Sequence, residues 1–557
     1  MTELLVVLVL GFVVIAAATV LGPRLGIASP LVLVAVGVAA SFLPVFASAQ
    51  VEPELILQGV LPPLLYSAAV SMPAMNFRRE FGAISGLSVL LVIGTALLLG
   101  VFFMLVIPGL GFAWGVAIGA IISPTDAVAT SIIKKTAVSQ RVVALLDGES
   151  LLNDATALVL LRTAIVAAAA SFSFWGGVGT FAYSVVIAVA IGLAVGWLNL
   201  RVRKRISDPT VNTVISFAVP FVASVPATLL NGSGLVAAVV AGLVTGIGAA
   251  RDFSPQVRLS DSQNWRTVEL LLEGAIFLTM GVQIKTIVTA VEQDHAGVWP
   301  AVLIAIGALL LIIVIRAAYV APLLGILHAA SRRNDKMHAR LQGMQEKLTT
   351  SEGKEETFAQ LNASRRRTPT GRDLDRFARR VTQVIADIEY FRREPLGWRE
   401  GVIVVWAGMR GAVTVAAAQS LPENTPVRSV LVLIAFAVAL FSLVIQGGTI
   451  GPLLRLIIPK VDPAVAAERT AAERGQLVEL LRATAEAIPE PPHPEGDPTP
   501  QDLGATMRHR LVVLNAQRSA LLDARDNGTF DANVLEDALA NLDASQIALE
   551  MRGTFVD

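Results

Sequence analysis

The chain is built mainly from long apolar segments that are separated by short polar turns. A helix needs about 20 apolar residues to cross the ~30 Å hydrocarbon core of a bilayer. About thirteen segments approach or exceed that length, near residues 3–21, 30–47, 54–72, 82–107, 111–133, 144–169, 177–200, 211–230, 233–250, 267–288, 299–327, 400–420 and 429–457. The pattern predicts an all-α polytopic membrane protein with about thirteen transmembrane helices.

The composition supports this class. Of the 557 residues, 54% are hydrophobic and only 16% are charged, whereas a soluble domain carries about 25% charged residues. The net charge is zero, so charge gives no reason to expect a nucleic-acid partner. The chain contains no cysteine, which excludes disulfides and thiolate metal sites.

The loops between the apolar segments alternate in charge. Every second loop is basic, with Arg24, Arg78, Arg79, Lys134, Lys135, Arg141, Arg201, Arg203, Lys204, Arg205, Arg251, Arg258 and Arg266. Because Lys and Arg are enriched in cytoplasmic loops, we expect an extracellular N-terminus and a cytoplasmic C-terminus.

Two long charged segments lie on the predicted cytoplasmic side. They divide the chain into a transmembrane part at 1–330, a cytoplasmic helical insertion at 331–399, a second transmembrane part at 400–458 and a cytoplasmic tail at 459–557. Apolar residues recur at helical spacing over 374–391, which predicts an amphipathic helix. A Pro-rich stretch at 489–500 separates two helical segments of the tail. A role in assembly or stability and a role in regulation both remain open.

A polar strip interrupts the sixth apolar segment. It runs from Gly148 to Asp154, and its helical spacing places Ser150 and Asp154 on one face, with Glu149 and Asn153 on the adjoining face. Each charged group in hydrocarbon costs at least ~2.5–3.5 kcal/mol, so an intramembrane carboxylate is a functional hypothesis by default. The strip is rich in oxygen and predicts an ion-translocating site.

Two further segments are apolar runs with a break. Ser123-Pro124-Thr125-Asp126 contains a proline that removes a backbone donor, and Gly408-Met409-Arg410-Gly411 carries a charge between glycines. We therefore expect two interrupted helices, with Thr125 and Asp126 forming a second wall of the site. Interrupted helices at matching positions of two halves are typical of inverted-repeat transporters.

The remaining intramembrane charges predict ion pairs. A buried arginine without a partner is costly, so we expect Arg316 to pair with Glu149, and Glu273 to pair with a second arginine such as Arg410. Glu269 lies near a cytoplasmic helix end, where a solvated charge is the simpler interpretation.

Together, Gly148–Asp154, Ser123–Asp126 and Gly408–Ala412 resemble the sodium/proton exchangers, the monovalent cation:proton antiporters with an Asn-Asp motif, in their bacterial form. The resemblance covers residues 1 to about 457. It implies a fold with a dimerisation half and a mobile core in which two discontinuous helices cross. It also implies a homodimer in the plasma (inner) membrane, with no cofactor.

The resemblance also implies roles for single residues. Asp154 matches the carboxylate that binds the cation and the proton in turn, and Asn153 is its amide neighbour. Ser150 and Thr125 match oxygen ligands of the cation, so that the metal-binding residues are Asp154, Ser150 and Thr125. Asp126 lines the site, and Glu149 pairs with an arginine of the eleventh segment, here Arg316.

The predicted function is exchange of a monovalent cation, Na⁺ first, for H⁺ by competition at Asp154 with alternating access. Because Asn153 cannot titrate, we expect the exchange to be electroneutral. Na⁺, K⁺ and Li⁺ are not distinguished, so a K⁺/H⁺ antiporter on the same site is the alternative. A cation channel is less favoured because no repeated filter element occurs, and the chain has no His-Glu-x-x-His pair that would indicate an intramembrane metalloenzyme.

Overall fold

The fold consists of helices throughout the part of the chain that the computed structural model describes. Those residues are 2–24, 27–44, 52–134, 136, 138–169, 174–295, 297–349, 371–458, 463–490 and 500–553, and they contain no strand. Lys135, most of the Pro-rich stretch at 489–500 and the end of the second predicted span lie outside them. The all-α prediction is therefore confirmed for the described ranges.

The helices follow the predicted segments closely. The first ten are α1 Thr2–Arg24, α2 Ser29–Ala40, α3 Leu55–Ser71, α4 Ala74–Val106, α5 Phe112–Ile122, α6 Val128–Ile133, α7 Gln140–Ala169, α8 Phe174–Arg203, α9 Pro209–Leu229 and α10 Gly234–Asp252. The others are α11 Pro255–Val282, α12 Ile284–Gln293, α13 Val298–Thr349, α14 Gly371–Arg393, α15 Trp398–Trp406, α16 Ala412–Gln419, α17 Arg428–Ile457, α18 Pro463–Glu486, α19 Pro500–Asn527 and α20 Ala532–Gly553. Within α3, α4 and α17, the stretches Leu55–Val60, Gly86–Leu91 and Leu443–Gly447 are π-helical.

Length and apolarity identify the membrane-crossing helices. In the described ranges, nine helical stretches are long and apolar enough to cross a bilayer, namely α1, α4, α7, α8, α9, α10, α11 with α12, α13 up to Ala329, and α17. The helices α2, α3 and α5 are apolar but shorter. The chain is thus a multi-pass membrane protein, and the count of thirteen crossings stays a prediction.

The chain forms two compact units. One comprises Met1–Phe253, Val257–Leu323 and Trp398–Pro459, and the other comprises Ser254–Gln256, Leu324–Gly397 and Lys460–Asp557. In the second unit, α18, α19 and α20 share an apolar core that includes Leu477, Leu521 and Leu535. The amphipathic stretch 374–391 lies within α14.

The first unit contains two sets of packed helices that both touch α7. The helices α4, α5, α6 and α15 form one set that packs against α7. The helices α3, α8, α9, α10 and α11 share a cluster of buried side chains that includes Tyr66, Ala223, Ala237 and Trp265. Both α3 and α10 also contact α7, so the polar strip of α7 lies where the two sets meet.

The two predicted helix breaks are present and lie side by side. The break from Ser123 to Ala127 separates α5 from α6, and the break from Ala407 to Gly411 separates α15 from α16. The backbone N–H of Asp126 donates to the carbonyl of Met409 at 2.7 Å. The two discontinuous helices therefore cross at their breaks, as the resemblance to the exchangers implies.

Candidate functional site

Arg410 occupies the crossing and satisfies the carbonyl groups that the breaks release. Its Nε donates to the carbonyl of Ile122 at 3.1 Å, its Nη2 to that of Ser123 at 3.3 Å, and its Nη1 to that of Gly408. The side chain is buried, and a cation at the carboxyl end of a helix such as α5 is favourable. In the described structure Arg410 forms no ion pair with Glu273, contrary to the expectation, because backbone carbonyls already accept from its guanidinium group.

Glu149 and Arg316 form a sealed ion pair beside this crossing. The Arg316 Nη2 donates to one Glu149 carboxylate oxygen at 2.7 Å, and its Nη1 donates to the other. The Arg316 Nε donates to the carbonyl of Val404 at 2.9 Å, which ties the pair to α15. Both side chains are buried. A two-pronged pair of this kind fixes geometry as well as charge, so Arg316 neutralises Glu149 and holds it in place.

Thr125 and Asn153 connect α7 to the first break. The Thr125 hydroxyl donates to Glu149 at 3.2 Å. The Asn153 amide donates to the Thr125 carbonyl at 3.1 Å and to its Oγ1 at 2.6 Å. The Oδ1 of Asn153 is buried and accepts no hydrogen bond from any described residue. These contacts hold the unwound segment against the helix that carries Asp154.

Asp154 faces a cavity of about 110 Å³. The cavity is walled by α3, α7, α11 and the start of α16, and by the two breaks. Within the described part of the chain, the Asp154 carboxylate has neither a hydrogen bond nor an ion pair. Ser150 lines the same cavity one turn earlier, and its hydroxyl donates to the carbonyl of Asp147 at 3.1 Å, which leaves its oxygen free to accept or to bind a cation.

Asp126 and two glutamates line the same cavity. Asp126 Oδ1 accepts from the backbone N–H of Val128 at 3.1 Å, at the start of α6. Glu269 and Glu273 reach the cavity from α11, and Ser67 donates to Glu269 at 3.4 Å. Four carboxyl groups thus line the cavity from the first break, α7 and α11, although the described residues contain no group of three or more His, Cys, Asp or Glu that could hold one metal ion together.

Glu269 is the residue that sequence reasoning missed. Its position near the start of the predicted span 267–288 indicated a solvated charge. In the structure α11 already begins at Pro255, so Glu269 lies in the middle of the helix and lines the cavity with Asp154. The signal that could have found it is its spacing from Glu273, because residues four apart lie on one face of a helix. Two carboxylates on one face of an apolar helix indicate a shared polar wall.

Two glycines allow the close approach of the breaks. A Cβ at Gly411 would collide with the Asp126 carboxylate, and a Cβ at Gly408 would lie 2.6 Å from the Arg316 Nε. Any larger residue at either position would therefore displace a charged side chain of the site. The glycines of the Gly408–Gly411 motif explain how the two breaks can touch.

The predicted site residues fall into two groups. Thr125, Asp126, Ser150, Asp154 and Glu273 line the cavity. Behind them, Glu149, Asn153, Arg316 and Arg410 hold the breaks and α7 together. The arrangement can offer an unpaired carboxylate and neighbouring oxygens to a small cation or a proton.

Known proteins resemble this chain in both sequence and fold. The family model described as "Sodium/hydrogen exchanger, transmembrane" matches residues 9–346 and 376–456. An uncharacterised Na⁺/H⁺ exchanger of Mycobacterium tuberculosis is 27% identical over 97% of this chain and 97% of its own length. A sodium, potassium, lithium and rubidium/H⁺ antiporter of Bacillus subtilis is 29% identical over 48% of this chain and 41% of its own length. The structure of the sodium proton antiporter MjNhaP1 of Methanocaldococcus jannaschii is similar in fold, with a TM-score of 0.55 and 15% identity over 82% of this chain and 99% of that one.

Proposed function

This chain belongs to the sodium/hydrogen exchanger family, and from that premise we propose that it exchanges Na⁺ for H⁺ at Asp154, one for one. Members of the family are monovalent cation/proton antiporters, and the proposal builds on that activity. The proposal adds the preferred cation, the residue that carries it and the stoichiometry.

The observation that carries the proposal is the unpaired carboxylate of Asp154 in its cavity. A carboxylate in a largely apolar environment is costly unless it is neutralised. A proton and a small cation both neutralise it, but each does so by occupying the same oxygens. Competition between the two ions is the simplest chemistry for such a group.

The cavity can hold a partly hydrated cation. Hard cations prefer oxygen ligands, and the cavity is lined by the carboxylate-bearing Asp154 and by Ser150 and Thr125, which carry further oxygen atoms. One water occupies about 30 Å³ in the liquid, so a cavity of about 110 Å³ has room for an ion with a few waters. The protein then supplies only part of the ion's coordination shell.

The neighbours of Asp154 favour an electroneutral exchange. Asn153 is an amide that cannot titrate, and the charge of Glu149 is cancelled by Arg316. Asp154 therefore carries either one proton or one monovalent cation in each half of the cycle. If the protein changes between its inward-facing and outward-facing states only when Asp154 is occupied, the proton gradient drives the opposing cation flow.

The same proposal includes the topology and the assembly. The basic loops support an extracellular N-terminus and a cytoplasmic C-terminus. The resemblance to the exchangers supports a homodimer in the plasma membrane. A K⁺/H⁺ exchange on the same site is the second candidate, because the Bacillus subtilis relative is named for potassium as well as sodium.

The test is an ion-competition assay in proteoliposomes with Na⁺ and pH varied separately. We expect acidification to raise the half-saturating Na⁺ concentration, by up to about tenfold per pH unit for a single competing proton, with the rate at saturating Na⁺ unchanged. A half-saturating concentration that does not move with pH would contradict the shared site. Replacing Na⁺ with K⁺ tests the second candidate, and an imposed membrane potential that changes the rate would contradict electroneutrality.

A further inference from the structure

A second and larger cavity, of about 410 Å³, lies further along α7 than the site cavity. Its walls come from α3, α7, α8, α9 and α10, and from Ser420 at the end of α16. The polar and charged side chains on its walls include Glu54, Gln58, Arg162, Thr180, Thr228 and Asn231. None of these residues belongs to the site described above.

The two cavities are stacked along the same helices. On α7, Ser150 and Asp154 line the site cavity, whereas Leu158 and Arg162 line the second cavity on the same helix face. At 1.5 Å per residue, Arg162 lies about 12 Å beyond Asp154 along the helix axis. The helix therefore passes from one cavity directly into the next.

Two other helices show the same order. On α3, Leu65 lines the site cavity and Gln58 lines the second cavity. Beside the second break, Thr414 lines the site cavity, and Ser420 lines the second cavity. On all three helices, the second cavity therefore lies on the same side of the site cavity.

The two cavities come within one helical turn of each other on α7, and closer on α3. Leu158 follows Asp154 by four residues on α7, and on α3 the buried Leu61 faces the site cavity while its neighbour Pro62 faces the second cavity. Three apolar side chains thus lie at the boundary. An apolar boundary of this kind is a barrier to ions, because an unpaired charge in apolar surroundings is costly.

The two cavities differ in charge. Among the described residues, the site cavity is lined by four carboxylates and by no arginine or lysine. The second cavity has one arginine, Arg162, and one carboxylate, Glu54. Both side chains are exposed, and neither forms a hydrogen bond or an ion pair with any described residue. The first cavity therefore attracts cations. In the second cavity the two charges cancel in number, but the positive one, Arg162, lies on α7 one turn beyond Leu158, on the helix that carries Asp154.

All walls of the second cavity lie at the predicted extracellular ends of their helices. These are the ends of α7, α9 and α16 and the starts of α3, α8 and α10. We propose that this cavity is the outer vestibule of the ion path, that Leu158 separates it from Asp154, and that Arg162 weakens the binding of cations that enter from outside. The transport part of this inference rests on the proposed function.

The absence of native cysteine gives a direct test of the vestibule. Thr163→Cys places a thiol in the second cavity, beside Arg162, and Ala68→Cys places one in the site cavity. We expect membrane-impermeant thiol reagents to label Thr163→Cys in right-side-out vesicles and Ala68→Cys in inverted vesicles. Failure of Thr163→Cys to react from outside would overturn the vestibule, since a lipid-filled or sealed cavity excludes such reagents.

The charge of the reagent tests Arg162 without any transport. The measured quantity is the labelling rate of an anionic reagent divided by that of a cationic reagent of similar size. We expect this ratio to be roughly 2- to 10-fold higher at Thr163→Cys than at Ala68→Cys. Adding Arg162→Gln should reduce this preference for the anionic reagent, and Arg162→Lys should keep it. An unchanged preference in Arg162→Gln would overturn the role of Arg162. The labelling is repeated in Asp154→Asn, so its result stands even if the proposed function fails.

Transport then tests the consequence for ion affinity. In Arg162→Gln, we expect the half-saturating concentration of external Na⁺ to fall about 2- to 10-fold, while the internal value stays unchanged. Arg162→Lys should resemble the native protein. An equal change on both sides would indicate a merely structural effect and would contradict the proposal.

Discussion

Glu149 and Asp154 are carboxylates on the same helix, five residues apart, and they meet opposite surroundings. Glu149 is buried, accepts from both outer nitrogens of Arg316 and accepts a third bond from Thr125. Asp154 faces a cavity and has no partner among the described residues. The difference follows from the direction of each side chain, because one points into the crossing and the other into the gap between α7 and α3.

The comparison separates two uses of buried charge. A charge that is fully paired holds helices in a fixed arrangement, and removing one partner is far more costly than the pair is stabilising. A charge left unpaired beside a cavity remains available to ions from solution. The crossing of the two breaks therefore acts as a rigid frame, and Asp154 is the group within it that stays free to change its occupant.

The largest expected effect is the loss of exchange in Asp154→Asn. An amide of the same shape can neither release a proton nor neutralise a cation, so we expect exchange to fall by more than about 100-fold. The thermal midpoint of unfolding should not fall, because no bond to this side chain is lost. Na⁺-dependent proton flux in proteoliposomes and thermal unfolding in detergent measure the two quantities.

Asp147 provides the matched control for that substitution. It lies on the same helix but pairs with Lys134 at 2.9 Å, and both side chains are partly exposed. Because partly exposed pairs contribute little, Asp147→Asn should keep most of the transport. If exchange survives in Asp154→Asn, or fails equally in both variants, then Asp154 does not differ in role from the other carboxylates and the prediction is wrong.

The next effect is on stability and concerns the sealed pair. Glu149→Gln leaves Arg316 buried beside a neutral amide, and breaking a buried pair in this way costs about 3–5 kcal/mol. We expect a clear fall in the thermal midpoint and poor yield of folded protein. Combining Glu149→Gln with Arg316→Gln should recover part of the loss, since no uncompensated charge remains. A stable single variant with normal transport would show that the pair is not part of the frame.

A third prediction concerns the contact between the breaks. A Cβ at Gly411 would collide with the Asp126 carboxylate, whereas Gly451 has open space around the same position. We expect Gly411→Ala to lower transport about 10- to 100-fold, because small displacements of site groups have effects of that size. Gly451→Ala should leave it unchanged. Equal activity of the two variants would mean that the close approach of the breaks is not needed.

The sequence allowed the fold to be predicted because its signals are local. The length of each apolar segment predicts a helix, and Pro124 predicts a break because proline has no backbone N–H to donate. The polar strip of α7 stands out because charges in hydrocarbon are rare. The amphipathic spacing over 374–391 likewise identified the helix α14.

The contacts of Arg410 could not be predicted in the same way. Arg410 bonds to the carbonyls of Ile122 and Ser123, which lie almost 290 residues earlier in the chain. A buried arginine suggests a carboxylate partner, but here the carbonyls of a broken helix supply the acceptors. Which acceptor is present depends on how the two breaks cross, and that is decided by tertiary packing.

The smallest expected effect concerns Glu273, which lines the site cavity but lies on α11, across from α7. Its charge raises the local concentration of cations through the field of the cavity wall. We therefore expect Glu273→Gln to raise the half-saturating Na⁺ concentration by about 2- to 5-fold at low ionic strength. The effect should shrink in high salt, because screening weakens such fields. Glu292→Gln, on the exposed end of α12 and outside the cavity, is the matched control.

The size of this effect shows whether Glu273 acts only through its electric field or helps to carry the ion. If Glu273 acts only through its field, the maximal rate stays native and only the affinity changes. If Glu273→Gln abolishes exchange as completely as Asp154→Asn, then the ion is carried by more than one carboxylate, and one-for-one exchange at a single group is no longer tenable. The contrast between one free carboxylate and one sealed carboxylate on α7 would then have to be replaced by a site that α7 and α11 share.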